Sequence, residues 1–228
     1  MGLCRSLARS EGKGIIPLVF LIMELKSLGK KHIERAEKNM NALEVLRSRF
    51  QKQKPFAGVS IGMSLHVTKE TAVLVKTLRD GGAFVAISGC NPLSTQDDIV
   101  AALRNEKNVE VFGRRGESVK EYYENIRKVV MILEKNRQSR VLTIDDGCDL
   151  VTAIHKSHQK LLPRIIGGCE ETTTGVLRLN AMHKDRALKY PVIAVNDNQT
   201  KHLMDNYYGT GQSAMDGILR ATNVLLAG

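Results

Sequence analysis

Lys201 and Asp205 stand four residues apart, with Asn206 directly after, in the segment DNQTKHLMDNYYGTGQSAMDG that begins at Asp197. Positions i and i+4 share one face of a helix, so an ammonium and a carboxylate would project together. In isolation such a pair is most often a solvated salt bridge. Beside further polar groups it becomes a place where a proton can be moved. Such groups recur along the chain. Glu171 precedes Thr172, Thr173 and Thr174, three hydroxyl residues that suit a helix start better than a helix interior and read locally as N-capping. His66, Thr68 and Glu70 alternate just after an apolar run and offer a set of hydrogen-bond donors and acceptors. Asp145, Asp146 and Asp149 crowd one turn but lack the ladder of ligands and closing glutamate of a calcium loop.

Other patterns carry less. Gly209-Thr210-Gly211-Gln212-Ser213-Ala214 fits G-x-G-x-x-A, yet the residues before it, HLMDNYY, are not the buried strand that a nucleotide-binding fingerprint requires. A helix-initiating turn is expected there instead. His155 and His158 are three apart with no further ligands at a metal-like spacing, so a hydrated helix end is expected and no metal site. Cys4, Cys90, Cys148 and Cys169 form no C-x-x-C pair. They read as free thiols in a reducing compartment, and a cytoplasmic protein is expected.

The elements that must position these groups alternate. After an amphipathic helical stretch over His32 to Phe50, short apolar strands are predicted at Gly58–Leu65, Ala83–Ser88, Val109–Phe112, Val141–Asp145, Arg164–Gly168 and Val192–Val195. Helices are predicted over Thr68–Leu78, from near Thr95, and over Glu117–Asn136. This pattern implies an α/β fold, an open and mostly parallel sheet with helices on both faces. Ligands bind such sheets beyond the carboxyl ends of the strands. His66, Thr68, Asn91, Thr95, Asp146, Glu171 and Asn196 all follow predicted strands, so they should gather at one edge.

Five segments in register resemble one family. LHVTKETAVLVKTLRDGGAFV from Leu65, SGCNPLSTQDD from Ser88, IDDGCDL from Ile144, CEETTTGV from Cys169, and YPVIAVNDNQTK from Tyr190 running on to Asp205 and Asn206, are similar to S-adenosylhomocysteine hydrolase (adenosylhomocysteinase). The resemblance implies a Rossmann-like substrate domain that binds adenosine. In that family NAD oxidises the ribose 3′ hydroxyl, the 4′ proton is lost as homocysteine leaves, water adds, and the ketone is reduced. By resemblance Thr68 and Glu70 read the adenine edge, and Glu171, Asp205 and Asn196 hold the substrate. His66 and Asp146 handle protons near the 4′ and 5′ positions. Thr172, Thr173, Thr174 and Asn206 contact the NAD. Lys201, with its pKa lowered in a closed pocket, is expected to take the 3′ hydroxyl proton. Two departures stand out: Cys148 where many relatives have glycine, and Thr210 where many have cysteine beside the cofactor. The resemblance also implies a glycine-rich dinucleotide-binding domain after Gly228 and a homo-oligomer when complete. The alternative is a non-catalytic nucleoside-binding or interaction module.

Composition fits a soluble globular domain, with a hydrophobic fraction of 43% and a charged fraction of 25%. The net charge of +10 is scattered, with no basic run and no tryptophan, so no nucleic-acid partner is expected. Ile15 to Met23 is the one strongly apolar run, well short of the ~20 residues a membrane span needs. Residues 1–23 precede the resemblance and are expected to be an appended start that adds little to the core. Residues 24–228 are expected to form one substrate-binding domain.

Overall fold

The computed structural model describes residues 18–137 and 140–227. Six strands form one sheet: β1 (Val59–Leu65), β2 (Phe84–Gly89), β3 (Val109–Phe112), β4 (Arg140–Asp145), β5 (Ile165–Glu170) and β6 (Val192–Ala194). Their spatial order is β3-β2-β1-β4-β5-β6, and every pairing is parallel. This is the Rossmann-like order, with the direction of winding reversing between β1 and β4. The expected strands are all present, with ends shifted by a residue or two.

β1 is buried along its whole length, as a central strand covered on both faces must be. Ile61, Met63 and Leu65 join the core built by α1 (Leu18–Glu37), α3 (Lys69–Asp80) and α4 (Asp97–Leu103). The opposite core is built by α5 (Val119–Lys135), α6 (Asp149–Ser157) and α7 (Thr173–Lys184), around Ile126, Val129, Leu133, Leu150 and Ile154. On that side β1 presents Gly62, where an added Cβ would lie 2.6 Å from Leu133 Cδ1. Only a glycine lets α5 approach so closely.

The helical stretch expected over His32 to Phe50 is two helices. The chain breaks at Lys38–Met40 and restarts as α2 (Asn41–Gln53). The fold-back brings Arg47 onto Glu37 (2.8 Å) and Asp80 (2.6 Å), an ion-pair cluster that a continuous helix would not make. α1 runs through residue 24 unbroken, with Ile33 and Ala36 in the core and Phe20 to Met23 exposed. Ile15, Ile16 and Pro17 lie outside the described residues. Among those described, no helix is long and apolar enough to cross a membrane.

The expected turn at Gly209–Gly211 is also corrected. α8 (Gln199–Lys201) passes directly into a π-helical stretch, His202–Gly209, and then into α9 (Thr210–Thr222). Gly209 has helical backbone angles, φ −63° and ψ −46°. The glycines therefore sit inside a helix with no strand before them.

Asp80 fastens α3 to α2. Burial alone would raise its carboxyl, but hydrogen bonds from Arg47 and Arg79 hold it below the ordinary value. A carboxyl depressed in the folded state stabilises above its unfolded pKa, and that contribution is lost as pH falls through the folded value. Stability measured by urea titration should therefore decline below about pH 4, and Asp80→Asn should be less stable at neutral pH with a shallower acid decline. Parallel acid profiles for the two proteins would show that this cluster contributes nothing.

Candidate functional site

Four polar residues stand one position beyond four strands: His66 after β1, Cys90 after β2, Asp146 after β4 and Glu171 after β5. The backbone ladder extends to three of them. The N–H groups of Cys90, Asp146 and Glu171 donate to the carbonyls of Leu65 (3.1 Å), Ser64 (3.0 Å) and Asp145 (2.9 Å). Their side chains thus leave the sheet in register, at the switch point between β1 and β4. There a cleft of about 460 Å³ is lined by His66, Glu70, Asp146 and Glu171, with Met40, Leu43 and Leu74 as an apolar wall.

His66 Nδ1 lies 2.5 Å from Ser94 Oγ, and its Nε2 lies 3.4 Å from Asp146 Oδ2. The Cys90 thiol lies 3.6 Å from the same carboxylate oxygen, and burial followed by that charge pushes the thiol well above its usual range. Glu171 reaches Lys201 at 3.4 Å, so the two lie on the same side of the sheet. Burial lifts the Glu171 carboxyl above its ordinary range despite the neighbouring ammonium.

Lys201 is nearly enclosed. Its Nζ donates to Asn206 Oδ1 (2.7 Å), Asp205 Oδ2 (2.9 Å) and Asn196 Oδ1 (3.0 Å). The expectation of a lowered pKa is overturned by these partners. Burial pulls the ammonium down, but the hydrogen bond to Asp205 and the charges of Glu171 and Asp205 outweigh it, and Lys201 is held above its ordinary value. Asn196 is buried behind it, its amide oxygen also accepting from Asn206 (2.8 Å) and Thr173 (3.4 Å).

The remaining expected residues sit at the margins. Thr68 caps α3 through the Thr71 N–H (3.4 Å), and Thr71 lines the cleft. Glu70 is paired with Lys69 at 2.7 Å. Thr172 occupies the N-cap position of α7 but its hydroxyl makes no capping bond, so N-capping does not account for the threonine run. Thr174 is exposed.

A bracing role belongs to Glu170, a residue that motif spacing does not single out. Its buried carboxylate accepts from the N–H groups of Gly147 (2.8 Å), Cys148 (3.1 Å) and Thr172 (3.2 Å). One side chain thus holds both loops that carry Asp146 and Glu171. Asp145 does the same within its own turn, accepting from Asp146 and Val151 N–H groups, and burial pushes its carboxyl up to about 8. Cys148 bends that turn with φ 63°, the left-handed conformation that favours glycine. A signal for Glu170 exists in the sequence: an acidic residue ending an apolar strand is buried, and a buried carboxylate needs donors.

Fold and cleft define an open α/β domain of Rossmann-like strand order with its polar groups gathered at the switch point. The family model for S-adenosyl-L-homocysteine hydrolase matches residues 20–164 and 155–217. The chain is 55% identical over 200 residues to S-inosyl-L-homocysteine hydrolase of Methanocaldococcus jannaschii, covering 88% of this chain and 46% of that protein. It is 56% identical over 206 residues to adenosylhomocysteinase of Saccharolobus solfataricus, covering 90% of this chain and 48% of that protein. This chain belongs to the S-adenosyl-L-homocysteine hydrolase family. It spans about half the length of the relatives it matches.

Two substitutions test the Glu170 brace. Glu170→Gln places an amide where a backbone N–H needs an acceptor, and should cost about 1–3 kcal/mol. In Gly175→Ala the new Cβ would stand 2.0 Å from Glu170 Oε1. It should cost about 1–3 kcal/mol in urea unfolding. Near-neutral results for both would remove Glu170 from the account of the site.

Proposed function

We propose that this chain is the substrate-binding half of an NAD-dependent S-adenosyl-L-homocysteine hydrolase, which converts that thioether reversibly to adenosine and L-homocysteine. The observation that carries the reading is Lys201, held between Asp205 and Glu171, the latter lining the cleft with His66 and Asp146. A ribose carries adjacent hydroxyls, and this set offers an ammonium flanked by carboxylates to receive them. Glu171 and Asp205 accept from ribose hydroxyls, Thr68 and Glu70 face the base, and Asn196 positions Lys201. The names of the relatives divide between S-adenosyl and S-inosyl substrates, so adenosine and inosine are the two ligands to compare.

The donor set beside Lys201 fits the nicotinamide end of NAD. Thr173 Oγ1 and Asn206 Nδ2 lie 3.5 Å apart, with Asn206 also bonded to Lys201, neutral groups able to meet a carboxamide. No glycine-rich strand-turn-helix for the pyrophosphate is present among the described residues. When bound, NAD supplies the hydride acceptor that makes the 3′ carbon a ketone. The role of Lys201 is then defined. As an ammonium it holds the 3′ oxygen, and it takes the hydroxyl proton after passing its own to a neighbouring carboxylate. Glu171, whose raised pKa suits it to hold a proton, is the receiving group. His66 and Asp146, in contact at 3.4 Å, share the proton released at the 4′ carbon and return it to the leaving sulfur.

The reading is also supported by the last helices, which bury no residue. They expose Leu203, Met204, Tyr207, Tyr208, Met215 and Ile218. A dinucleotide-binding domain packed on that face would hold the rest of NAD and close the cleft against water. A cytoplasmic homo-oligomer is the assembly we infer for the complete enzyme.

The 228-residue chain should bind adenosine weakly and release no homocysteine, even with NAD added. Joined to a dinucleotide-binding domain of the family it should turn over, and Lys201→Ala in that fusion should lower kcat by at least ~100-fold. Thiol release by the unjoined chain would overturn the division of labour. A fusion that binds adenosine but stays inactive would favour the non-catalytic binding module.

A further inference from the structure

We propose that His66 Nε2, Cys90 Sγ and Asp146 Oδ2 form a binding site for a thiophilic divalent cation of the zinc class. The three atoms lie within 4.8 Å of one another, a convergence of metal-ligating groups from the ends of three strands. Tetrahedral zinc, with nitrogen and oxygen near 2.0 Å and sulfur near 2.3 Å, holds its ligands about 3.3–3.5 Å apart. Asp146 Oδ2 stands 3.4 Å from His66 Nε2 and 3.6 Å from Cys90 Sγ. Two edges of the coordination polyhedron already have nearly the right length, and rotation of the partly exposed His66 ring closes the third.

The other ring nitrogen of His66 is held as well. Nδ1 lies 2.5 Å from Ser94 Oγ, which itself lies 3.1 Å from the Asn91 carbonyl, and Nε2 faces Asp146. A hydrogen-bonded distal nitrogen is the arrangement that orients histidine ligands in metal centres. Imidazole and thiolate together favour zinc over magnesium or calcium. On binding, the Cys90 S–H bond breaks, its proton goes to solvent and a metal–sulfur bond forms. Thiolate and carboxylate then balance the two positive charges.

The backbones of Cys90 and Asp146 are fixed by bonds to Leu65 and Ser64, so two of the three ligands need no loop ordering. The fourth position faces the cleft and would be filled by water. A cation there occupies His66 and Asp146 and would exclude a nucleoside. This consequence rests on the function proposed above, whereas the metal site itself does not. The sequence gives no metal-like spacing for this set, because Cys90 and Asp146 are 56 residues apart and meet only through the sheet.

The test is cobalt(II) titration of the reduced 228-residue chain, read by its thiolate-to-cobalt charge-transfer band and its d–d absorption. One equivalent should give a tetrahedral spectrum that zinc abolishes. Cys90→Ser should remove the charge-transfer band while Cys169→Ser keeps it. His66→Gln and Asp146→Asn should each weaken binding by at least ~10-fold with unchanged circular dichroism. A second reading needs no variant: zinc should slow alkylation of Cys90 by iodoacetamide at least ~10-fold, located by peptide mass. Absence of a thiolate band in the parent chain, its survival in folded Cys90→Ser, or alkylation of Cys90 unaffected by zinc would each overturn the site. Cobalt binding by a chain that, when free of metal, binds no adenosine would leave the site standing and count against the function proposed for the cleft.

Discussion

The carboxylate of Glu170 is the constraint on which the cleft depends. It is buried, it ends β5 of the parallel sheet, and it answers three backbone N–H groups from two loops. A buried carboxylate without donors would be very unfavourable, and loop N–H groups without an acceptor would be nearly as poor. Each requirement satisfies the other. The geometry leaves no choice about where Asp146 and Glu171 begin, since each lies beside a residue held by Glu170. Gly175 completes the arrangement, because any side chain there would collide with the carboxylate.

Electrostatics within the cleft favour paired charges over isolated, perturbed ones. Lys201 meets Glu171 and Asp205 and stays charged, while Glu171 is kept from ionising easily by burial. This differs from a desolvated catalytic lysine, whose burial acts without compensating carboxylates. The same concentration of acceptors makes the His66, Cys90 and Asp146 corner attractive to a cation.

The switch point explains why these groups meet. Parallel neighbours wound in opposite directions from β1 and β4 leave their carboxyl ends open to a ligand. A polar residue one step past each strand then needs no long loop to reach the cleft. The same arrangement leaves one side exposed: the wall formed by Met40, Leu43 and Leu74 covers part of the cleft, and the helices after Lys201 present apolar side chains outward.

Periodicity alone was enough for the six strands and most helices, because each apolar run is bounded by turn residues and contributes to the core on at least one face. Motif spacing likewise identified Lys201 with Asp205, and the placement of His66, Asp146 and Glu171 after strands. The fold-back at Lys38–Met40 was not legible, because it is stabilised by Arg47 meeting Asp80 from another helix. Nor was the continuous helix through Gly209, where the glycine pattern suggested a turn. The state of Lys201 depended on its hydrogen bond to Asp205 together with the charge of Glu171, thirty positions earlier in the chain. Sequence determines which strands form and which polar residues end them. Tertiary structure alone decides which of those residues touch, because charge and metal affinity depend on separations of a few ångströms that the parallel register sets across distant segments.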